Sequence, residues 1–298
     1  MGTTRRAVLL NSGLGLGWIG LRSLLGADSS SASALAAKAP HFAPRAKRVI
    51  FLFMHGGPSS VDTFDPKPRL EIDHGKPLPI KRELTFGADS VGGLMGSPWK
   101  FRQHGESGLP VSELFPHVAR RADDLCVIRS MVGDGVDHGA ALLQMHTGMF
   151  SFKRPSMGSW MLYGLGTENA NLPGYVTIKP TLGHGGANNW SSNFLPGEYQ
   201  GTRVGHKGLA LEEIRKDPVP WLTRDDISTE DQRFELDMLQ AMNRRHAAAA
   251  DHDPALEARM EALELAFRMQ TEAPEAFEVE KESEATKKLY ATFRQATG

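Results

Sequence analysis

The run from Arg48 to Lys67 constrains the fold more than any other part of this chain. After Arg48, Val49-Ile-Phe-Leu-Phe-Met54 is an unbroken apolar stretch, followed by His55-Gly56-Gly57-Pro58-Ser59-Ser60-Val61-Asp62-Thr63-Phe64-Asp65-Pro66. A short apolar run bounded by punctuating residues predicts a fully buried strand, most naturally a central parallel one. Gly56 and Gly57 allow the backbone after it to bend or to approach a ligand closely. Ligands of open α/β sheets bind outside the carboxyl ends of the strands. His55 is therefore expected at the rim of a polar site.

Further along, short apolar runs at 126–128 and 175–178 predict two more strands. Helical patterns at 111–121, 138–146 and 156–165 lie between and beside them. Strands alternating with helices predict an α/β fold with a mostly parallel sheet. From about residue 208 the texture turns charged and helical. Phe234, Met238, Leu239 and Met242 share one helix face, expected to be core. Asp253-Pro254 caps a second helix, whose apolar stripe is Leu256, Met260, Leu263 and Phe267. Residues 208–298 are expected to form a helical cover on one side of the sheet.

The amino terminus has the form of an address. Thr4-Arg5-Arg6-Ala7-Val8-Leu9 matches the twin-arginine pattern, and a Gly-rich, weakly apolar stretch follows. Asn11 and Arg22 interrupt it, leaving it short of the roughly 20 apolar residues that span a bilayer. Ala32-Ser33-Ala34 and Ala37-Lys38-Ala39 are both candidate processing sites, the first preferred. The expected organisation is a leader and linker over 1–39, packed against nothing, and an α/β domain over 40–298. The implied partner is the twin-arginine translocase, and the implied compartment is periplasmic or otherwise extracytoplasmic, with no membrane span after processing.

Formal net charge is −1 and no Lys/Arg block stands out, so nucleic-acid binding is not expected. Cys126 is the single cysteine. It can form no intramolecular disulfide, and its apolar neighbours predict a buried, inert thiol. A Gly-x-Ser-x-Gly elbow is absent, which disfavours a serine hydrolase.

Four stretches together resemble one family: His55 to Lys67, Ser130-Met-Val-Gly-Asp-Gly-Val-Asp137-His138, Met145-His146-Thr147-Gly148, and Asn193-Phe-Leu-Pro196 through Gly201-Thr202. They resemble the domain-of-unknown-function 1501 (DUF1501) family of exported bacterial proteins, allied by fold to alkaline phosphatases and sulfatases. The resemblance covers roughly residues 48–290. It implies an alkaline-phosphatase-like sheet with helices on both faces. In such a fold a second half of similar weight follows the motif near Tyr290, so the carboxyl-terminal half is expected to be missing from this chain. A fold alone does not fix a function.

The segment 134–148 looks like the nucleophile helix of sulfatases, and counting back from Thr147-Gly148 puts the nucleophile position on His138. Sulfatases carry Cys or Ser there, and phosphatases of this fold Ser or Thr. A helix amino terminus disfavours imidazolium and would favour a neutral ring, and the same end suits a phosphate or sulfate group. Asp137 and His138 are thus the catalytic candidates. The alternative is that Asp137 only caps the helix and His138 only bonds the neighbouring loop.

His55 and Asp62 are the candidates for a zinc-like divalent metal, although no diagnostic spacing is present and Asp62 serves equally as a turn former. Gly56, Gly57, His184 and Asn188 are the substrate-binding candidates. The last two lie in Gly183-His-Gly-Gly-Ala-Asn-Asn-Trp190, which also reads as an ordinary structured loop. Two functions stay open: a metal-assisted hydrolase of phosphate or sulfate esters, or a non-catalytic exported protein binding polysaccharide or a protein partner.

Overall fold

The computed structural model describes residues 34–79, 92–135, 137–224, 226–249 and 254–294. The twin-arginine segment lies outside them. The described residues form two compact units. Both mix helices with a small two-stranded sheet, so the chain is of mixed α/β class.

One unit comprises Pro44–Lys153 with Gly183–Asn189. Its helices and strands begin with two short helices, α1 (Ser60–Thr63) and α2 (Pro68–Ile72). Strands β1 (Phe101–His104) and β2 (Leu109–Ser112) then form an antiparallel hairpin, Phe101 opposite Ser112 and His104 opposite Leu109. The Asp123 carboxylate closes its turn by accepting the Glu106 and Ser107 backbone N–H groups at 3.0 and 2.8 Å. Val111 and Ser112 are buried where α1 and α3 (Pro116–Ala119) pack on β2. The helix expected over 111–121 is therefore corrected to a strand end and one short helix. Val111 and Ser112 take ladder positions, and Pro116 can only open a helix, having no N–H to continue one.

α4 (His138–Thr147) follows, close to its expected span. Asp137 caps it, Gly148 ends it in the left-handed region, and Leu142 and Thr147 are buried. The central strand expected over 49–54 is not formed, and Val49, Ile50 and Leu52 are exposed, Ile50 by 81%. Extended backbone sends alternate side chains to opposite faces. Phe51 and Phe53 pack on the His146 ring of α4 at centroid distances of 5.5 and 4.7 Å, while Ile50 and Leu52 point away. No strand among the described residues pairs with this segment. The run at 126–128 is likewise not a strand, and Cys126 is exposed rather than buried.

The second unit takes the described residues up to Ala43, Arg154–Leu182, and those from Trp190 onward. α5 (Met157–Leu165) starts after Ser156, whose hydroxyl is 2.9 Å from that of buried Ser159. β3 (Val176–Ile178) meets its expectation and pairs in parallel with β4 (Thr202–Val204). Then come α6 (Leu211–Lys216), α7 (Thr229–Ala249), α8 (Pro254–Ala276) and α9 (Glu284–Arg294), the helical region expected here.

α7 and α8 pack together, but not through the apolar face expected of α7. Arg233 grips Glu264 with two bonds of 2.9 and 3.0 Å, and Gln240 Nε2 donates to the Met260 carbonyl at 2.9 Å. Arg233 and Gln240, seven residues apart, define the face of α7 turned to α8. Phe234, Met238 and Met242 lie around the helix from that face and stay exposed.

The segment 34–38 is also not the detached linker expected. Ala36 bridges Thr167 as a parallel strand would, the Thr167 N–H donates to the Leu35 carbonyl, and the Lys38 N–H donates to that of Leu165, both at 2.8 Å.

Candidate functional site

Three histidines from three separate stretches of the first unit converge. His55 comes from the loop after the 49–54 run, His138 is the first residue of α4, and His184 comes from the loop 183–189. The His184 ring lies 5.5 Å from that of His55 and 5.5 Å from that of His138, centroid to centroid. All three are exposed.

Each is placed by its local backbone. Gly56 (φ 94°) and Gly57 (φ 70°) adopt conformations that side chains rarely reach, and the Gly57 N–H closes a tight turn on the Met54 carbonyl at 3.1 Å. That turn sets where His55 stands. A Cβ on either glycine would meet open space, so it is the positive φ, not crowding by neighbouring residues, that calls for glycine here.

His138 is placed by the start of α4. Asp137 Oδ1 accepts the Gly139 and Ala140 N–H groups at 2.8 and 3.0 Å, and these bonds hold its carboxyl below the usual range, the Ala140 bond most. Gln144 fastens the loop before it, its Oε1 accepting the Asp134 and Gly135 N–H groups at 2.9 and 3.0 Å.

His184 itself has φ 51°, in the left-handed region that histidine enters more readily than bulky residues do. Its carbonyl accepts from Asn189 Nδ2 at 3.1 Å. Asn189 is buried, and its Oδ1 has no hydrogen-bond partner among the described residues. Asn188, expected to bind substrate, donates its backbone N–H to the Gly185 carbonyl at 3.1 Å. Asn189 did not figure among the sequence candidates. The signal that finds Asn189 is its five-residue spacing from His184 across two glycines, which lets the amide reach back to the His184 carbonyl.

The two metal candidates keep different company. Asp62 accepts hydrogen bonds from Ser97 and Ser59, which lower its pKa, Ser97 most, while His55 faces His184. Among the described residues no group of three His, Cys, Asp or Glu side chains could hold a metal ion. Asp65, the other aspartate of the motif, pairs with Lys67 at 2.7 Å and lies 3.8 Å from Arg129. His146, two turns along α4 from His138, is half-buried among phenylalanines and outside the cluster.

A helix capped by a carboxylate, two ordered loops and three facing imidazoles define a protein of mixed α/β class with a histidine-lined polar surface. The chain belongs to the family described as protein of unknown function (DUF1501), whose model matches residues 46–298. No curated protein and no solved structure matches the chain.

Proposed function

We propose that this is an exported protein of alkaline-phosphatase-like type whose His55, His138 and His184 cluster handles the phosphate or sulfate group of an ester. The observation that carries this is the pair of 5.5 Å ring separations that puts His184 beside both others at the start of α4. Imidazoles donate hydrogen bonds to oxyanions and, near neutral pH, exchange protons with a leaving group. In a turnover, neutral His138 attacks the phosphorus or sulfur, the ester oxygen leaves with a proton from a neighbouring imidazolium, and water, giving a proton back to that neighbour, then cleaves the N–P or N–S bond and frees His138. Among the described residues no ligand set for a divalent ion is assembled, and the steps are written with the imidazoles alone.

One observation counts against turnover assisted by the helix end. Asp137 already occupies the Gly139 and Ala140 N–H groups, the donors an anion at this helix end would use. The binding reading keeps the histidines and omits the attack. Assay of p-nitrophenyl phosphate and sulfate, alongside calorimetric titration with inorganic phosphate and sulfate, separates the two. The hydrolase reading expects turnover that falls at least about a hundredfold in His138→Ala. Binding lost in His184→Ala, with no turnover in the wild type, selects the second reading. Neither binding nor turnover overturns both.

Export by the twin-arginine route belongs to the same proposal, and what supports it is Arg5-Arg6 before a weakly apolar stretch. No helix among the described residues is long and apolar enough to cross a membrane. A precursor carrying Arg5→Lys and Arg6→Lys is expected to stay in the cytoplasm, uncleaved. Normal export of that double variant would replace this route with general secretion.

A further inference from the structure

The segment that precedes the domain in sequence is bonded into it between Ala34 and Lys38. Beyond the Ala36–Thr167 bridge, Tyr199 Oη donates to the Ala34 carbonyl at 3.3 Å, and the Ala34 N–H donates to Glu261 Oε1 at 3.3 Å. Lys38 Nζ donates to the Tyr163 carbonyl at 2.7 Å and stands 5.2 and 5.7 Å over the Tyr163 and Tyr199 rings. Gly166 faces this strand so closely that a Cβ on it would fall 2.1 Å from the Ala36 carbonyl oxygen.

Under the first residues of the strand lie two carboxylates. Glu198 is only 8% exposed, and its Oε2 is buried with no hydrogen-bond partner among the described residues. Burial raises its pKa, and the charge of Glu261 raises it further, against a lowering by Lys38. Tyr199, beside it, is raised by the same burial and by the Glu198 charge. Lys38 is already engaged with two rings and a carbonyl. A buried carboxylate with an unsatisfied oxygen calls for another cation.

We propose that signal-peptide removal cuts immediately before Ala34, and that the freed α-ammonium group of Ala34 pairs with Glu261 and Glu198. This rests on the export reading. Small residues at 31–34 satisfy the processing pattern, and the chain nitrogen at Ala34 is already on Glu261 before any cut. Hydrolysis adds water across one peptide bond, leaving a carboxylate on the leader and an ammonium group on the domain. The alternative cut after Ala39 would remove every contact just described. Processing thereby locks the mature amino terminus into the fold.

Mass spectrometry of the exported protein's amino terminus tests the first part. A start at Ala34 is expected, and a start at Leu35, Pro40 or any other residue in an exported protein overturns the proposal. Full-length protein in the cytoplasm of wild-type cells would instead sink the export reading, and this proposal with it. For the second part, melting of the processed protein is compared with that of the trapped Arg5→Lys, Arg6→Lys precursor. The processed form is expected to melt about 2–4 °C higher. That advantage should vanish in Glu261→Gln and shrink in Glu198→Gln, whichever of the two folds well enough to measure. An equal advantage in both variants overturns the ammonium pairing.

Discussion

At the scale of single residues, His146 ties the apolar run to α4, and it should leave a pH signature. Burial against Phe51 and Phe53 lowers its pKa below the ordinary 6.5. The unfolded chain then binds the proton more readily than the folded one, so its contribution to stability is full above pH 6.5. It is lost as pH falls from 6.5 through the lower folded value. Denaturant titrations of the wild type and His146→Phe across that window check it. The variant, which keeps an aromatic ring there, is expected to lack this part of the acid sensitivity. Gly166 offers a second residue-scale test. Its φ of 69° and the approach of Ala36 make Gly166→Ala cost more than about 1 kcal/mol, with faster proteolysis within residues 34–38. Unchanged proteolysis would mean that the strand is not held there.

Among the elements, α4 was the most legible in the sequence. An aspartate before it, a glycine after it and apolar residues between are local signals, and the observed span differs from the expected one by a single residue. The α7–α8 pairing was legible as helices but not in its facing. Periodicity marks an apolar stripe; it does not say that Arg233 and Gln240 have a better partner in Glu264 and Met260. Arg233 also donates to Asp237 and stands 4.9 Å over the Phe267 ring, so four interactions converge on one guanidinium. Arg233 and Glu264 remain about a third exposed, so solvent limits their ion pair to about 1 kcal/mol, with the ring contact adding a similar amount. Arg233→Lys keeps the charge but cannot make the two-pronged bond. It is expected to lose about half of that sum in urea unfolding, and a loss as large as that of Arg233→Ala would show that geometry, not charge, dominates.

For the molecule as a whole, the histidine cluster was partly legible because each ring sits beside a glycine or a cap. That the three meet was not, since the contact depends on where residues 183–189 return. The central strand failed for a different reason. Composition shows that 49–54 is apolar and extended, but a strand exists only when neighbours pair with it, and no local signal reports whether they do. One substitution decides how this run is used. With Ile50 projecting away from α4, Ile50→Ser should change stability by no more than about 0.5 kcal/mol. Leu142→Ala, in the buried face of α4 within the same unit, should cost about 2–5 kcal/mol and calibrates the measurement. If Ile50→Ser costs as much as Leu142→Ala, the run is buried on both faces in solution, and a completed sheet of the alkaline-phosphatase-like kind replaces the one-sided packing seen here.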